Sequence, residues 1–226
     1  VLLLAYLGWR GLPTGSPQRA WGVFAGGLVL GPALTLVAEL AAIVVLGLCV
    51  IFYISLRPDL AQELMALAEQ MEQFRDAPDQ ALPLISPYIS QPAVIFVLFA
   101  FTAGLVPLIE EFFKPIGVWL LAGRRLSPAE GFSAGVISGA GFALFENLAV
   151  TSTGADWTAT VTLRMGTGLL HILTAGLTGW ALALAWSHRR YLRLLLIFFC
   201  AVLLHSLWNG LALVTAASVL ALPNWI

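Results

Sequence analysis

The sequence predicts an all-α protein, a polytopic transmembrane bundle of about six to seven helices. Three observations support this: the chain is very apolar, its apolar residues form long runs, and arginines occupy alternate loops. Of its 226 residues, 60% are hydrophobic and 10% charged, against about 25% charged in an ordinary soluble domain. These charges are too few to cover a surface facing water, which excludes most soluble enzymes. A formal net charge of −1 indicates no nucleic-acid partner.

The spans follow from the apolar runs, since about 20 mainly apolar residues cross a bilayer as a helix. The predicted spans are 1–9, 21–54, 92–122, 128–150, 163–186 and 191–221, all within a single membrane-embedded domain, 1–226. The first has no basic segment before it, so we expect a truncated span rather than a signal peptide. The second is longer than one span and contains Gly31-Pro32, which predicts a kink, a tilt or a projection beyond the bilayer.

The basic residues predict the orientation of the bundle. Most arginines lie in loops near 10–20, 123–127 and 187–193, and loops rich in positive charge face the cytoplasm. The loops at 57–91 and 151–162 are then extracytoplasmic.

Residues 57–91 are the one sizeable insertion between the predicted spans. Apolar residues recur there at helical spacing: Leu60, Leu64, Leu67, Met71 and Phe74. This stripe predicts an amphipathic helix packed on the outer face. Alternatively, this helix could form a gate over a substrate entry or part of a dimer interface. The prolines that follow predict a loop without regular structure.

Several polar side chains fall inside the predicted spans, where a charge costs at least ~2.5–3.5 kcal/mol and indicates a functional site. They are Glu39, Glu110, Glu111, Lys114, Glu146, Asn147, His171, His205 and Asn209. At about 1.5 Å per residue, four of them on four different spans reach a similar depth in the outer half of the bilayer: Glu111, Glu146, His171 and His205. Glu39 has no visible partner and is interpreted as structural.

Their spacing predicts how these groups pair. Lys114 follows Glu110 by four residues and Glu111 by three, so it can neutralise either and leave the other free. The free glutamate, beside neutral imidazoles in a partly wet cavity, could activate water for amide hydrolysis, with His205 and Asn209 stabilising the oxyanion. The same chemistry could instead use zinc. The candidate ligands are Glu111, Glu146, His171 and His205. Both mechanisms stay open at this point.

Four motifs occur in order on successive spans. They are EExxK at 110–114, FxxxEN at 142–147, His171, and HxxxN at 205–209. Over about residues 100–215 the sequence resembles the PrsW family of intramembrane proteases. That family is similar to the CAAX-processing and bacteriocin-protection membrane proteases.

The resemblance implies an endopeptidase of the bacterial plasma membrane that cleaves single-span, membrane-anchored regulators such as anti-sigma factors. It implies catalytic roles for Glu110, Glu111, His171, His205 and Asn209, with Lys114, Glu146 and Asn147 in support. Glu111 or Glu110 would be the general base. Members of the family are usually classed as metalloproteases, whereas relatives are argued to be metal-free glutamate proteases, so zinc is one alternative. The family often has a third acid where this chain has Ile109, and the 57–91 insertion is larger than expected, which leaves the substrate open.

Two other functions compete with this one. Buried Glu and His side chains are also typical of proton-coupled transporters or channels, although no inverted repeat is visible. Residues 131–135 match GxSxG, which predicts a serine nucleophile at Ser133, with Ser138 as a second candidate. Such a serine needs a histidine within hydrogen-bond reach.

Overall fold

The computed structural model describes residues 3, 6–7, 10–75, 78–148 and 157–219. These residues contain helices and no strand, which confirms the predicted all-α class. The helices are α1 (Pro17–Ala25), α2 (Gly31–Ser55), α3 (Pro58–Glu72), α4 (Pro78–Ile89), α5 (Pro92–Phe99), α6 (Val106–Phe113), α7 (Ile116–Trp119), α8 (Pro128–Leu148), α9 (Trp157–His188) and α10 (Tyr191–Val219). Most of the predicted span 1–9, much of the loop 151–162 and positions 220–221 lie outside the described residues.

Four stretches of the described chain are long and apolar enough to cross a membrane, as expected of a multi-pass membrane protein. They are Pro17–Ser55, Pro92–Trp119, Trp157–His188 and Tyr191–Ser218. The predicted span 128–150 corresponds to α8, whose 21 residues also suffice for about 30 Å. Because α8 is rich in Gly, Ala and Ser and most of its residues are buried, it packs among the other helices rather than against lipid.

Helices α8 and α9 pack with their backbones unusually close. A Cβ added at Gly131 would lie 2.5 Å from the Gly179 carbonyl oxygen, and one at Gly139 would lie 2.6 Å from that of His171. Small residues permit such an approach between helices in a membrane. This close packing fixes the position of His171 along the helix axis relative to α8.

We expect Gly135→Ala to lower the free energy of unfolding by about 1–3 kcal/mol, because the new methyl group would overlap the Ala175 carbonyl group. Thermal unfolding of the purified protein in detergent measures this loss. Gly47→Ala is the matched control, since a Cβ there meets nothing within 4 Å. Equal unfolding temperatures for the two variants would contradict the close packing.

Two π-helical turns interrupt the membrane helices, at Gly26–Leu30 and at Ala100–Leu105. Each is followed within two residues by a proline, Pro32 or Pro107. A proline ring clashes with the carbonyl group four residues earlier, which here lies inside the π-helical turn. The wider turn relieves this clash. The sequence predicted a kink, a tilt or a projection at Gly31-Pro32, and the structure has a π-helical turn directly before this pair.

The insertion at 57–91 differs from its prediction in one respect. Helix α3 is present, with its apolar stripe partly buried and its other residues exposed. At its start the Arg57 guanidinium donates a hydrogen bond to Asp59, which lowers the pKa of that carboxyl group to about 2.

The prediction of a Pro-rich loop without regular structure is wrong, because residues Pro78–Ile89 form helix α4, with Pro83 and Pro87 inside it. A proline at the first position of a helix is tolerated. The two internal prolines lie four residues apart, hence on one face, so the hydrogen bonds they remove leave the opposite face of the helix intact.

Candidate active site

A cavity of about 520 Å³ lies among α6, α8, α9 and α10. Its polar lining residues are Glu110, Glu146, Arg164, Thr167, His171, His205 and Asn209. The cavity lies toward the N-terminal half of α9 and the C-terminal half of α10, away from the loop that carries Arg124 and Arg125. Polar groups from four separate helices therefore meet at one cavity, and Glu111 lies directly behind it.

The Glu111 carboxylate forms a fully buried ion pair with Lys114. The Lys114 Nζ lies 2.5 Å from Glu111 Oε1, and neither side chain is exposed. The same oxygen accepts a hydrogen bond from Thr174 Oγ1 at 3.2 Å and lies 3.0 Å from His205 Nδ1. A buried ion pair is tolerated when further hydrogen bonds satisfy it. Of the two pairings that the sequence allows, the structure contains Glu111–Lys114 and leaves Glu110 toward the cavity.

A helix break follows this pair, and the Ser138 hydroxyl hydrogen-bonds the backbone on both sides of the break. Helix α6 ends at Phe113 and α7 begins at Ile116, on either side of Pro115. Ser138 Oγ donates to the Lys114 carbonyl at 2.8 Å and accepts from the Gly117 amide at 3.2 Å. The hydroxyl thus satisfies backbone groups that the break leaves free.

This geometry gives no support to serine catalysis. Ser133 Oγ donates to the Ala129 carbonyl at 3.0 Å. Among the described contacts, neither Ser133 nor Ser138 bonds a histidine.

His171 is held by a chain of polar contacts that includes a residue missed by the sequence analysis. Its Nε2 lies 2.8 Å from Glu146 Oε2, which also accepts from Arg164 Nη2 at 3.2 Å. Arg164 Nε donates to Asn147 Oδ1 at 2.8 Å. Arg164 therefore binds both polar residues of the FxxxEN motif. Its position in the sequence, two helical turns before His171 on the same helix, could have indicated that Arg164 faces the same site.

Glu110, His171 and His205 form a group that could hold a metal ion. One donor atom from each lies within 4.8 Å of the other two. Glu110 Oε2 is 3.7 Å from His205 Nε2, and the two imidazole rings are 5.1 Å apart between centroids.

The residues of this group fit a metal. Glu110 Oε2 and His171 Nδ1 are buried without a hydrogen-bond partner among the described residues. The second nitrogen of each imidazole contacts a carboxylate, His205 that of Glu111 and His171 that of Glu146. Metal-ligating histidines are typically held this way, and one carboxylate with two imidazoles suits catalytic zinc. Glu110 thus belongs to the group, whereas the predicted ligands Glu111 and Glu146 support the imidazoles.

Two further polar residues lie near this group. Asn209 lines the cavity and donates from Nδ2 to the Thr102 carbonyl at 3.0 Å, inside the second π-helical turn. Glu39, interpreted from the sequence as having no partner, is close enough to Glu146 and Glu110 for electrostatic repulsion.

Comparison with known proteins agrees with this geometry. No curated protein and no solved structure matches the chain. A family model described as PrsW family intramembrane metalloprotease matches residues 20–226, nearly the whole chain. The match confirms the resemblance drawn from the motifs and does not favour a transporter or channel. It indicates an enzyme, a protease that acts on membrane-embedded substrates within the lipid bilayer. The chain belongs to the PrsW family of intramembrane metalloproteases.

Proposed function

We propose that the protein hydrolyses a peptide bond of a single-span, membrane-anchored substrate, such as an anti-sigma-factor-like protein. The reaction would take place in the cavity between α6, α8, α9 and α10. The observation that carries this proposal is the grouping of Glu110, His171 and His205 donor atoms within 4.8 Å on one cavity. Peptide hydrolysis needs an activated water and stabilisation of an oxyanion, and the cavity wall contains groups for both.

Glu110, His171 and His205 would hold the metal ion that the family description implies, and we propose zinc. When bound, zinc supplies Lewis acidity that polarises water and the scissile carbonyl group. The carboxylates of Glu111 and Glu146 orient the two imidazoles through their second nitrogens. This support fixes which nitrogen of each ring is free for the metal.

Glu146 is the proposed proton acceptor. Its side chain is 23% exposed, against 12% for Glu110 and 0% for Glu111. This assignment differs from the expectation that Glu110 or Glu111 is the base, because Glu110 joins the metal-binding group and Glu111 is sealed against Lys114. Arg164 holds the Glu146 carboxylate in place through its hydrogen bond.

The side chains proposed to act in the reaction all line the cavity. Water attacks the scissile carbonyl carbon and gives its proton to Glu146, and the Asn209 amide donates a hydrogen bond to the resulting oxyanion. One N–H of that amide is held by Thr102, which leaves the second for this role. Glu146 returns the proton to the leaving nitrogen as the C–N bond breaks. The products are a carboxylic acid and an amine, and a proton then passes between them to give a carboxylate and an ammonium group.

The proposed location is a bacterial plasma membrane with the arginine-rich loops on the cytoplasmic side. Loops near 10–20, 123–127 and 187–193 would then face the cytoplasm, and 57–91 and 151–162 would lie outside. The cavity would open in the outer half of the bilayer, where a substrate near the external surface can reach it.

Metal analysis of the purified protein tests the metal-dependent mechanism. We expect about one zinc ion per chain, loss of reporter cleavage after chelation, and recovery when zinc is returned. His171→Ala should lower the zinc content. His188→Ala, at the C-terminal end of α9 and away from the cavity, is the control and should retain it. Full cleavage activity in a metal-free sample would instead support the metal-free glutamate mechanism.

A further inference from the structure

A second polar cavity, of about 450 Å³, lies at the other end of the bundle, between the loop before α8 and the end of α9. It is lined by Gly123, Arg124, Arg125, Leu126, Ser127, Trp186 and Ser187. It shares no lining residue with the candidate active site. The peptidase chemistry therefore leaves this cavity without a role.

The cavity carries positive charge that the protein does not neutralise. Arg124 and Arg125 are exposed, and neither forms an ion pair within the described residues. At the same end Arg19 does have a partner, Glu130, at 2.7 Å. A third cavity, of about 390 Å³, lies between Arg19 and Arg124, so Arg124 separates two neighbouring basic cavities.

The surroundings of the second cavity are those of the lipid headgroup layer. Trp186 lines it and contacts Trp119 edge to face, with ring centroids 6.3 Å apart. Tyr191 begins the next membrane helix and is exposed. Trp and Tyr concentrate at the level of the headgroups, because their rings are partly apolar and partly polar. The cavity therefore opens where phospholipid headgroups lie.

We propose that this second cavity binds the phosphate of an anionic glycerophospholipid. Two guanidinium groups match the charge and the fork geometry of a phosphate diester. Trp186 lines the wall beside them. The volume falls in the range that holds a small organic ligand, which leaves room for the glycerol unit that carries the phosphate.

Lipid titration of the purified protein tests this proposal. Native mass spectrometry compares binding of phosphatidylglycerol with that of phosphatidylcholine, and we expect preferential binding of the anionic lipid. Each arginine near an anionic surface contributes roughly fivefold to affinity. The Arg124→Gln/Arg125→Gln variant should thus bind phosphatidylglycerol roughly twenty-five-fold more weakly.

The matched control removes the same charge at the opposite end. Arg57→Gln/Arg75→Gln should bind phosphatidylglycerol as the unmodified chain does. An equal loss in this control, or equal binding of the two lipids, would overturn the proposal, since the effect would then be general charge or apolar contact. Inorganic phosphate should fail to displace the lipid. Tight binding of free phosphate alone would identify a soluble anion as the ligand and reject the lipid.

Discussion

Glu110→Gln is expected to lower cleavage of a membrane-anchored reporter by at least about 100-fold, with loss of bound metal from the same sample. Glutamine keeps the shape of the side chain but removes the charge that a metal ligand needs. Losing even an outer partner of a metal ligand typically costs about 10–100-fold, and Glu110 belongs to the group itself. Cleavage by the purified variant and its metal content are the two measurements.

Two further variants make this prediction specific. Glu146→Gln should also lose cleavage but retain most of its metal, because a glutamine carbonyl can still accept the hydrogen bond from His171. Glu63→Gln, on helix α3 where the carboxylate bonds Tyr88, should keep both properties. Undiminished cleavage by Glu110→Gln would refute the role of this glutamate.

The second large effect is expected for Lys114→Met, which should lower the free energy of unfolding by about 3–5 kcal/mol. The substitution removes the ammonium group that compensates the Glu111 carboxylate in a site with no exposure. An isolated buried charge is far more costly than a buried pair. Denaturant unfolding in mixed micelles measures the loss.

The double variant Lys114→Met/Glu111→Gln separates this explanation from simple packing damage. Removing both charges should restore a large part of the lost stability, because no uncompensated ion remains. Reporter cleavage should stay low in the double variant, since glutamine supports His205 less well than a carboxylate does. A double variant as unstable as Lys114→Met would show that packing, rather than charge, explains the loss.

The sequence predicted the depth of the polar groups better than their directions. Helical rise is nearly constant, so counting residues was enough to place Glu146, His171 and His205 in one layer. Glu110, Glu111 and Lys114 all precede the Pro115 break, and both spacings are compatible with an ion pair. The choice depends on which carboxylate packs against Thr174 and His205 of the neighbouring helices. Only the tertiary structure distinguishes them.

Two misses have local causes. Helix α9 begins at Trp157, six residues before the predicted start at 163. Arg164 therefore lies about two turns inside the helix rather than at its predicted outer end, and its contact with Glu146 was not predicted. The threonines at 158, 160 and 162 lower the mean hydropathy of these first turns, so the apolar run was predicted to begin later. Helix α4 was missed because prolines usually end helices, and here their shared face allows the helix to continue.

Glu111 Oε1 joins three helices through a single atom, since Lys114, Thr174 and His205 all contact it. A relative shift of about 1 Å among these helices would stretch charge-assisted bonds beyond their useful range. If a substrate entered by separating α6, α9 and α10, these hydrogen bonds would break. His205 would then lose its contact with the Glu111 carboxylate at the moment when catalysis requires it. We therefore expect substrate entry to leave α6, α9 and α10 in their relative positions.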